Sequence, residues 1–289
     1  MKRLHLLLIM LLPVMTGCYD IFIPTSDPQI VVEGWIEDGG YPVVMLTTTV
    51  PVDRDIRDFN ELKEYMIRWG KVTISDGTQE VVLTGKRNDD YFPPYIYTTA
   101  YMKGVPGRTY TIKVEYSGRT VYASTTIPEP KRLEYTKVVR AAESDTLFYI
   151  AAGLKDDPST RNYYKSFIMV SGLDSIPVPS FMGLIDDEVL SEGIDEIQIN
   201  SSLKRMGSQS TPFFSAGDKV VVRFCTLDEN AFNYWSDFDD ISSLSTNPFF
   251  PVTSQIRSNV RGGLGYWAGY GSVNYMVSIP DSLARGRIY

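Results

Sequence analysis

Between residues 29 and 127 the chain runs as seven short apolar–polar alternations, and that pattern limits the fold more than anything else in the sequence. The runs are Gln29–Ile36, Val43–Val50, Lys71–Ser75, Glu80–Thr84, Tyr95–Ala100, Thr109–Tyr116 and Thr120–Thr126. They are rich in valine, isoleucine, threonine and tyrosine, which suit a pleated, half-buried surface. Period-two alternation puts one set of side chains in a core and the other outside it. Ser75-Asp76-Gly77 and Ser117-Gly118 are turn signals between consecutive runs. Only Pro51–Gly70 departs from the pattern; there Leu62, Tyr65, Met66 and Trp69 recur at helical spacing within Asn60–Trp69.

Pro128-Glu129-Pro130 reads as a stiff linker, because proline cannot pair through its nitrogen. Beyond it, strands are expected at Leu133–Val139, Thr146–Leu154, Tyr163–Ser171, Asp195–Ile199, Lys219–Thr226 and Ser272–Ser278. One segment has helical period: Leu227, Ala231, Tyr234, Trp235, Phe238 and Ile241 share a face, and Thr226-Leu227-Asp228-Glu229 is a capping-box signature. A helix is expected from Asp228 to Leu244. The fold class is therefore mainly β: an N-terminal immunoglobulin-like β-sandwich over 29–127, then a β-rich C-terminal domain over 131–289 with one α-helix near 228–244. Composition agrees, with 43% hydrophobic and 22% charged residues. A net charge of −7 argues against a nucleic-acid partner.

The N-terminus has a basic start, Lys2-Arg3, and an apolar run from Leu4 to Val14 that is shorter than the roughly 20 residues of a spanning helix. It ends in Met15-Thr16-Gly17-Cys18, which resembles the lipobox of bacterial lipoproteins. That resemblance makes residues 1–17 a cleaved signal, Cys18 the lipidated N-terminus and 18–28 a tether. Three acyl chains would hold the protein durably, at roughly 0.8 kcal/mol per buried CH₂. Cleavage takes away Lys2, Arg3 and His5, so the net charge moves from −7 to −9 and no histidine remains. A Ser-His-Asp or Cys-His site and histidine-held metals are then excluded within one chain. Cys225 is left as a single thiol in a strand-like setting and is expected to be buried.

The C-terminal third carries the second resemblance. Asn247-Pro248-Phe249 is followed by Ile256-Arg257-Ser258-Asn259-Val260-Arg261-Gly262-Gly263-Leu264-Gly265-Tyr266-Trp267. Together with Ile30–Ile36 after the lipobox, and Leu184-Ile185-Asp186-Asp187-Glu188 in the middle, this order resembles family 4249 of the domains of unknown function, a Bacteroidota lipoprotein family. The resemblance implies an outer-membrane lipoprotein, often encoded beside a TonB-dependent barrel, and hence an accessory to substrate uptake. It brings no catalytic residues. Tyr19 and Asp20 after Cys18 leave cell-surface versus periplasmic exposure open.

Three kinds of side-chain cluster have alternative readings. The glycine-dense Arg261–Gly271 lacks the lysine and following helix of a phosphate loop, so bulges and close backbone approaches are the expectation. Acidic groups at Asp156-Asp157, Asp186-Asp187-Glu188 and Asp237–Asp240 lack the spaced pattern of a calcium loop. Aromatic clusters either fill cores or form a binding surface. The surface candidates are Tyr91, Phe92, Tyr95, Tyr266 and Trp267. No catalytic residue, metal or cofactor is expected. The functional expectation is a non-catalytic outer-membrane lipoprotein serving a TonB-dependent transporter. The alternative is a stand-alone surface binder of glycan or peptide. A third, a two-carboxylate hydrolase, would need a deep aromatic cleft holding two acids at glycosidase spacing.

Overall fold

β1 (Ile30–Glu37) alternates buried and partly buried positions along its whole length. Ile30, Val32 and Ile36 enter an apolar core, whereas Glu33, Trp35 and Glu37 point the other way. A strand with large side chains on both sides needs cover on both, and the remaining elements supply it. The computed structural model describes residues 27–281 apart from 52–53, 55–57, 59, 143, 156, 158, 192, 203–210 and 245–255. The expected signal at 1–17, Cys18, most of the tether and Asn247-Pro248-Phe249 lie outside the described residues.

After β1 come β2 (Val43–Thr48), β3 (Lys71–Ser75), β4 (Glu80–Val82), β5 (Thr84–Arg87), β6 (Tyr95–Thr98), β7 (Thr109–Tyr116) and β8 (Arg119–Thr126). The second half contains β9 (Tyr135–Arg140), β10 (Leu147–Lys155), β11 (Tyr163–Val170), β12 (Val178–Asp186), β13 (Ile194–Ile199), β14 (Phe214–Ser215) and β15 (Lys219–Leu227). The helix α1 (Glu229–Leu244) and the long strand β16 (Leu264–Ser278) complete the described elements. The protein is mainly β, as the alternation predicts.

The described strands form three sheets. The largest has eight strands in the order β12-β11-β15-β16-β1-β2-β6-β5. A four-stranded sheet, β4-β3-β7-β8, faces its β1 half, and the core between them includes Val32, Leu46, Ile74, Ile112 and Trp267. A second four-stranded sheet, β13-β10-β14 with β9 also on β10, faces its β15 half around Phe148, Ile150, Ile168 and Phe224.

β16 joins the two halves. Its first part pairs parallel to β1, from Val31↔Leu264 to Glu37↔Tyr270. Its second part pairs antiparallel to β15, from Thr226↔Gly271 to Lys219↔Ser278. The strand expected at Ser272–Ser278 thus begins eight residues earlier, and the 29–127 sandwich takes a strand from the far end of the chain. Pro128–Pro130 does separate β8 from β9, yet the eight-stranded sheet runs unbroken past it. The glycines permit this. Gly265 has φ +103° and lies so close to β1 that a Cβ would strike the Val32 carbonyl. Asn259 brackets the backbone of Trp267, accepting from its N–H at 3.0 Å and donating to its C=O at 2.8 Å. The Ser-Asn…Gly-Gly-Leu-Gly pattern is therefore a strand-docking device.

Two local expectations change. Asn60–Trp69 forms only a 3-10 turn at Glu61–Tyr65, because Met66 and Ile67 are drawn into backbone pairing with Thr47 and Leu46; Trp69 is left exposed. The cap of α1 is Asp228, whose Oδ1 accepts from Ala231 N–H at 2.8 Å. Thr226 accepts instead from Lys131 N–H at 3.1 Å, so its hydroxyl fastens the linker rather than the helix. Cys225 lies buried on β15, with its thiol pKa pushed far up by burial.

Candidate functional site

The face of the eight-stranded sheet opposite the two cores is only partly covered. α1 lies over β11, β15 and β16, with Ala231 and Trp235 packed on Cys225, Leu227, Tyr266 and Tyr270. Trp235 Nε1 donates to the Tyr270 hydroxyl at 3.0 Å, and Tyr234 stacks on Tyr266 with ring centres 3.8 Å apart. Beside the helix, where its cover ends, a cavity of about 440 Å³ opens. That volume suits a small organic molecule.

Sheet alternation sets the floor. Glu33, Trp35 and Glu37 of β1 lie beside Tyr266 and Tyr270 of β16, and Val43 and Met45 of β2 flank them. Arg223 of β15 and Phe167 of β11 extend the floor under the helix. Tyr234, Trp235 and Phe238 form one wall; Tyr91 and Phe92 form another, with Tyr91 tilted against Trp35 at 6.0 Å between centres. The segment from Ile176 into the start of β12 closes the rim.

The two acids of the floor differ in their partners. Glu37 meets Arg223 at 3.0 Å and accepts from the Ser272 hydroxyl at 3.3 Å. Arg223 is fixed in turn by Asn274 Oδ1 at 3.2 Å. Burial raises the Glu37 pKa, and Arg223 opposes the rise. Among the described residues Glu33 has no such ion pair: burial pushes its carboxyl up to about 7, and the Tyr266 hydroxyl opposes the rise. A perturbed carboxyl in an aromatic cleft is a physical mark of a functional site. Under the helix, the ammonium of Lys165 is fully buried, 3.2 Å from Asp239 and 4.5 Å from the centre of the Trp235 ring. Burial lowers its pKa, against the pull of Asp239.

Of the five aromatic candidates, Tyr91, Phe92 and Tyr266 meet at this cavity. Trp267 and Tyr95 do not. Neighbours on a strand point to opposite faces, so Trp267 goes into the first core and donates from Nε1 to the Tyr110 carbonyl at 2.9 Å. Tyr95 packs edge-on against Tyr97 on the same core. Glu33, Trp35, Glu37 and Arg223 were not among the candidates. Their available signal was two acids four residues apart, on one face of an otherwise uncharged strand.

The described members of the acidic clusters are engaged locally. Asp186 pairs with Arg161 at 2.6 Å, and Asp187 accepts from Asn162. Asp237 takes Arg257 in a two-pronged pair, and Asp239 takes Lys165. Among the described residues no three His, Cys, Asp or Glu side chains converge as a metal site. Nor is any described helix long and apolar enough to cross a membrane.

Fold and cavity together define a mainly β protein with a cleft on the outer face of a sheet shared by two packed halves. The chain belongs to the family described as Domain of unknown function (DUF4249), whose model matches residues 18–275. No curated protein matches it.

Proposed function

We propose that the protein is a non-catalytic, lipid-anchored binding protein of a Bacteroidota outer membrane. It takes a small ligand into the aromatic cavity and serves as an accessory subunit of a TonB-dependent transporter. The cavity is the observation that carries the binding role: about 440 Å³, aromatic on floor and walls, with few polar groups. The anchor rests on Met15-Thr16-Gly17-Cys18, and the transporter rests on the resemblance of the lipoprotein family.

Binding is favoured over two-carboxylate hydrolysis because one of the two acids is already engaged. Glu33 and Glu37 lie four residues apart on one strand, about 13 Å between Cα positions, with Trp35 between them. Glu37 is held by Arg223 at 3.0 Å and by the Ser272 hydroxyl at 3.3 Å, whereas a glycosidase needs both carboxyls turned to the scissile bond.

A mild-detergent pull-down of the tagged full chain at native expression, read by mass spectrometry, tests the partner. A stoichiometric TonB-dependent barrel is the expected result. Recovery of the protein alone would favour a stand-alone surface binder of glycan or peptide.

A further inference from the structure

Resting on the binding role just proposed, the charge balance of the cavity narrows the ligand. Besides its tyrosines, three ionisable side chains line it: Glu33, Glu37 and Arg223. Arg223 and Glu37 cancel across 3.0 Å. That leaves one acid, Glu33, with no cation paired to it among the described residues, in a cleft whose other lining is mostly aromatic. Ring faces attract cations, and more strongly where water is excluded. The same aromatic cluster already does this once, since the Lys165 ammonium rests over the Trp235 ring.

We propose that the cavity binds a compact organic monocation, an amine or quaternary ammonium on an apolar body, with its charged head at Glu33 and its body between Trp35 and the α1 aromatics. The ligand would supply the counter-charge that the fold withholds. An anionic ligand would be repelled by Glu33 wherever that carboxyl is ionised, and a neutral one would gain nothing from its charge.

Binding of such a cation is tied to proton release. Glu33 is faced by the Tyr266 hydroxyl from β16 and by Tyr234 from α1. β2 offers it only Val43 and Met45, and along β1 Glu37 is held by Arg223. Of the acids of α1, Asp237 is taken by Arg257 and Asp239 by Lys165. With its carboxyl near pH 7 when the site is empty, Glu33 must lose a proton to meet the cation. Affinity should then climb about tenfold per pH unit below 7 and level off above it.

The test uses the full chain in mild detergent and three molecules of one shape: benzyltrimethylammonium, the uncharged 2,2-dimethylpropylbenzene and phenylmethanesulfonate. Calorimetry and the fluorescence of Trp35 and Trp235 read binding from pH 5.5 to 8. The ammonium, whose own charge does not change with pH, should bind at least tenfold tighter than the other two at pH 8 and show the pH dependence above. Glu33→Gln, close in shape, should remove that advantage and flatten the profile. The wild-type pH profile stands as evidence even if the variant folds poorly. Equal binding of the uncharged molecule, tightest binding of the sulfonate, or a flat ammonium profile overturns the cation while leaving a binding cavity. Failure of all three to bind overturns both readings.

Discussion

The two faces of β1 show how one strand serves two ends. Inward, Ile30, Val32 and Ile36 meet a closed apolar core, with Trp267 of the neighbouring strand fully buried beside them. Outward, Glu33, Trp35 and Glu37 meet a cavity and a single helix. Acids are tolerated on the outer face only at a cost: burial raises the pKa of both, and Arg223 offsets this for Glu37 but not for Glu33. The inner face is built for stability, and the outer face holds chemistry that the inner could not accommodate.

Removing one tryptophan from each face should expose the difference most sharply. Trp267→Ala deletes a fully buried ring and strands the Tyr110 carbonyl it bonds, and should cost about 3–5 kcal/mol in urea denaturation. Trp35→Ala, whose ring borders open space, should cost about 1–2 kcal/mol, since little new cavity surface is made, while abolishing the fluorescence response to benzyltrimethylammonium. Equal losses would mean that the outer face is simply a second core.

Charge under the helix should behave differently from charge beside it. Lys165 is buried, whereas its partner Asp239 reaches solvent. Asp239→Asn leaves a buried ammonium without its counterion and should cost about 3 kcal/mol. Lys165→Met leaves a carboxylate that water can solvate, and should be neutral within about 1 kcal/mol. Thermal melts of the two variants check the asymmetry. If Lys165→Met were the worse, the ammonium would be a needed part of the outer face rather than a tolerated one.

The sequence made these layers legible unevenly. Alternation located β3 and β7 to the residue, and the aromatic stripe from Ala231 to Phe238 located α1, because burial of one face leaves a period in the chain. β5, β12 and β14 were missed: β5 has no buried residue, β12 has prolines at and just before its start and a register shift opposite β11, and β14 is only two residues long. β16 was half-seen because glycines replace large side chains where it docks on β1, so its pattern fades where its pairing is closest. The cavity could be read only in part. Tyr91, Phe92 and Tyr266 stood out as aromatic clusters, but which strands lie side by side is set by pairings across more than 200 residues, such as Glu37 with Tyr270.

The smallest effect, and the most direct measure of what the outer face costs, belongs to Glu33. Its carboxyl has a folded-state pKa of about 7 against an ordinary 4.5. The folded protein therefore holds more protons than the unfolded chain between those values, so this group's contribution to stability falls as pH rises from 4.5 to 7 and stays low above. Glu33→Gln removes the titration. The variant and the wild type should be close in stability at pH 5, and the variant should be the more stable by about 2 kcal/mol at pH 8. Saturating benzyltrimethylammonium should stabilise the wild type more at pH 8 than at pH 5, because the charge that destabilises the empty cavity is the charge that the ligand meets. A variant that is less stable at both values would make Glu33 a structural acid held by Tyr266, and the contrast between the two faces of β1 would lose its chemical basis.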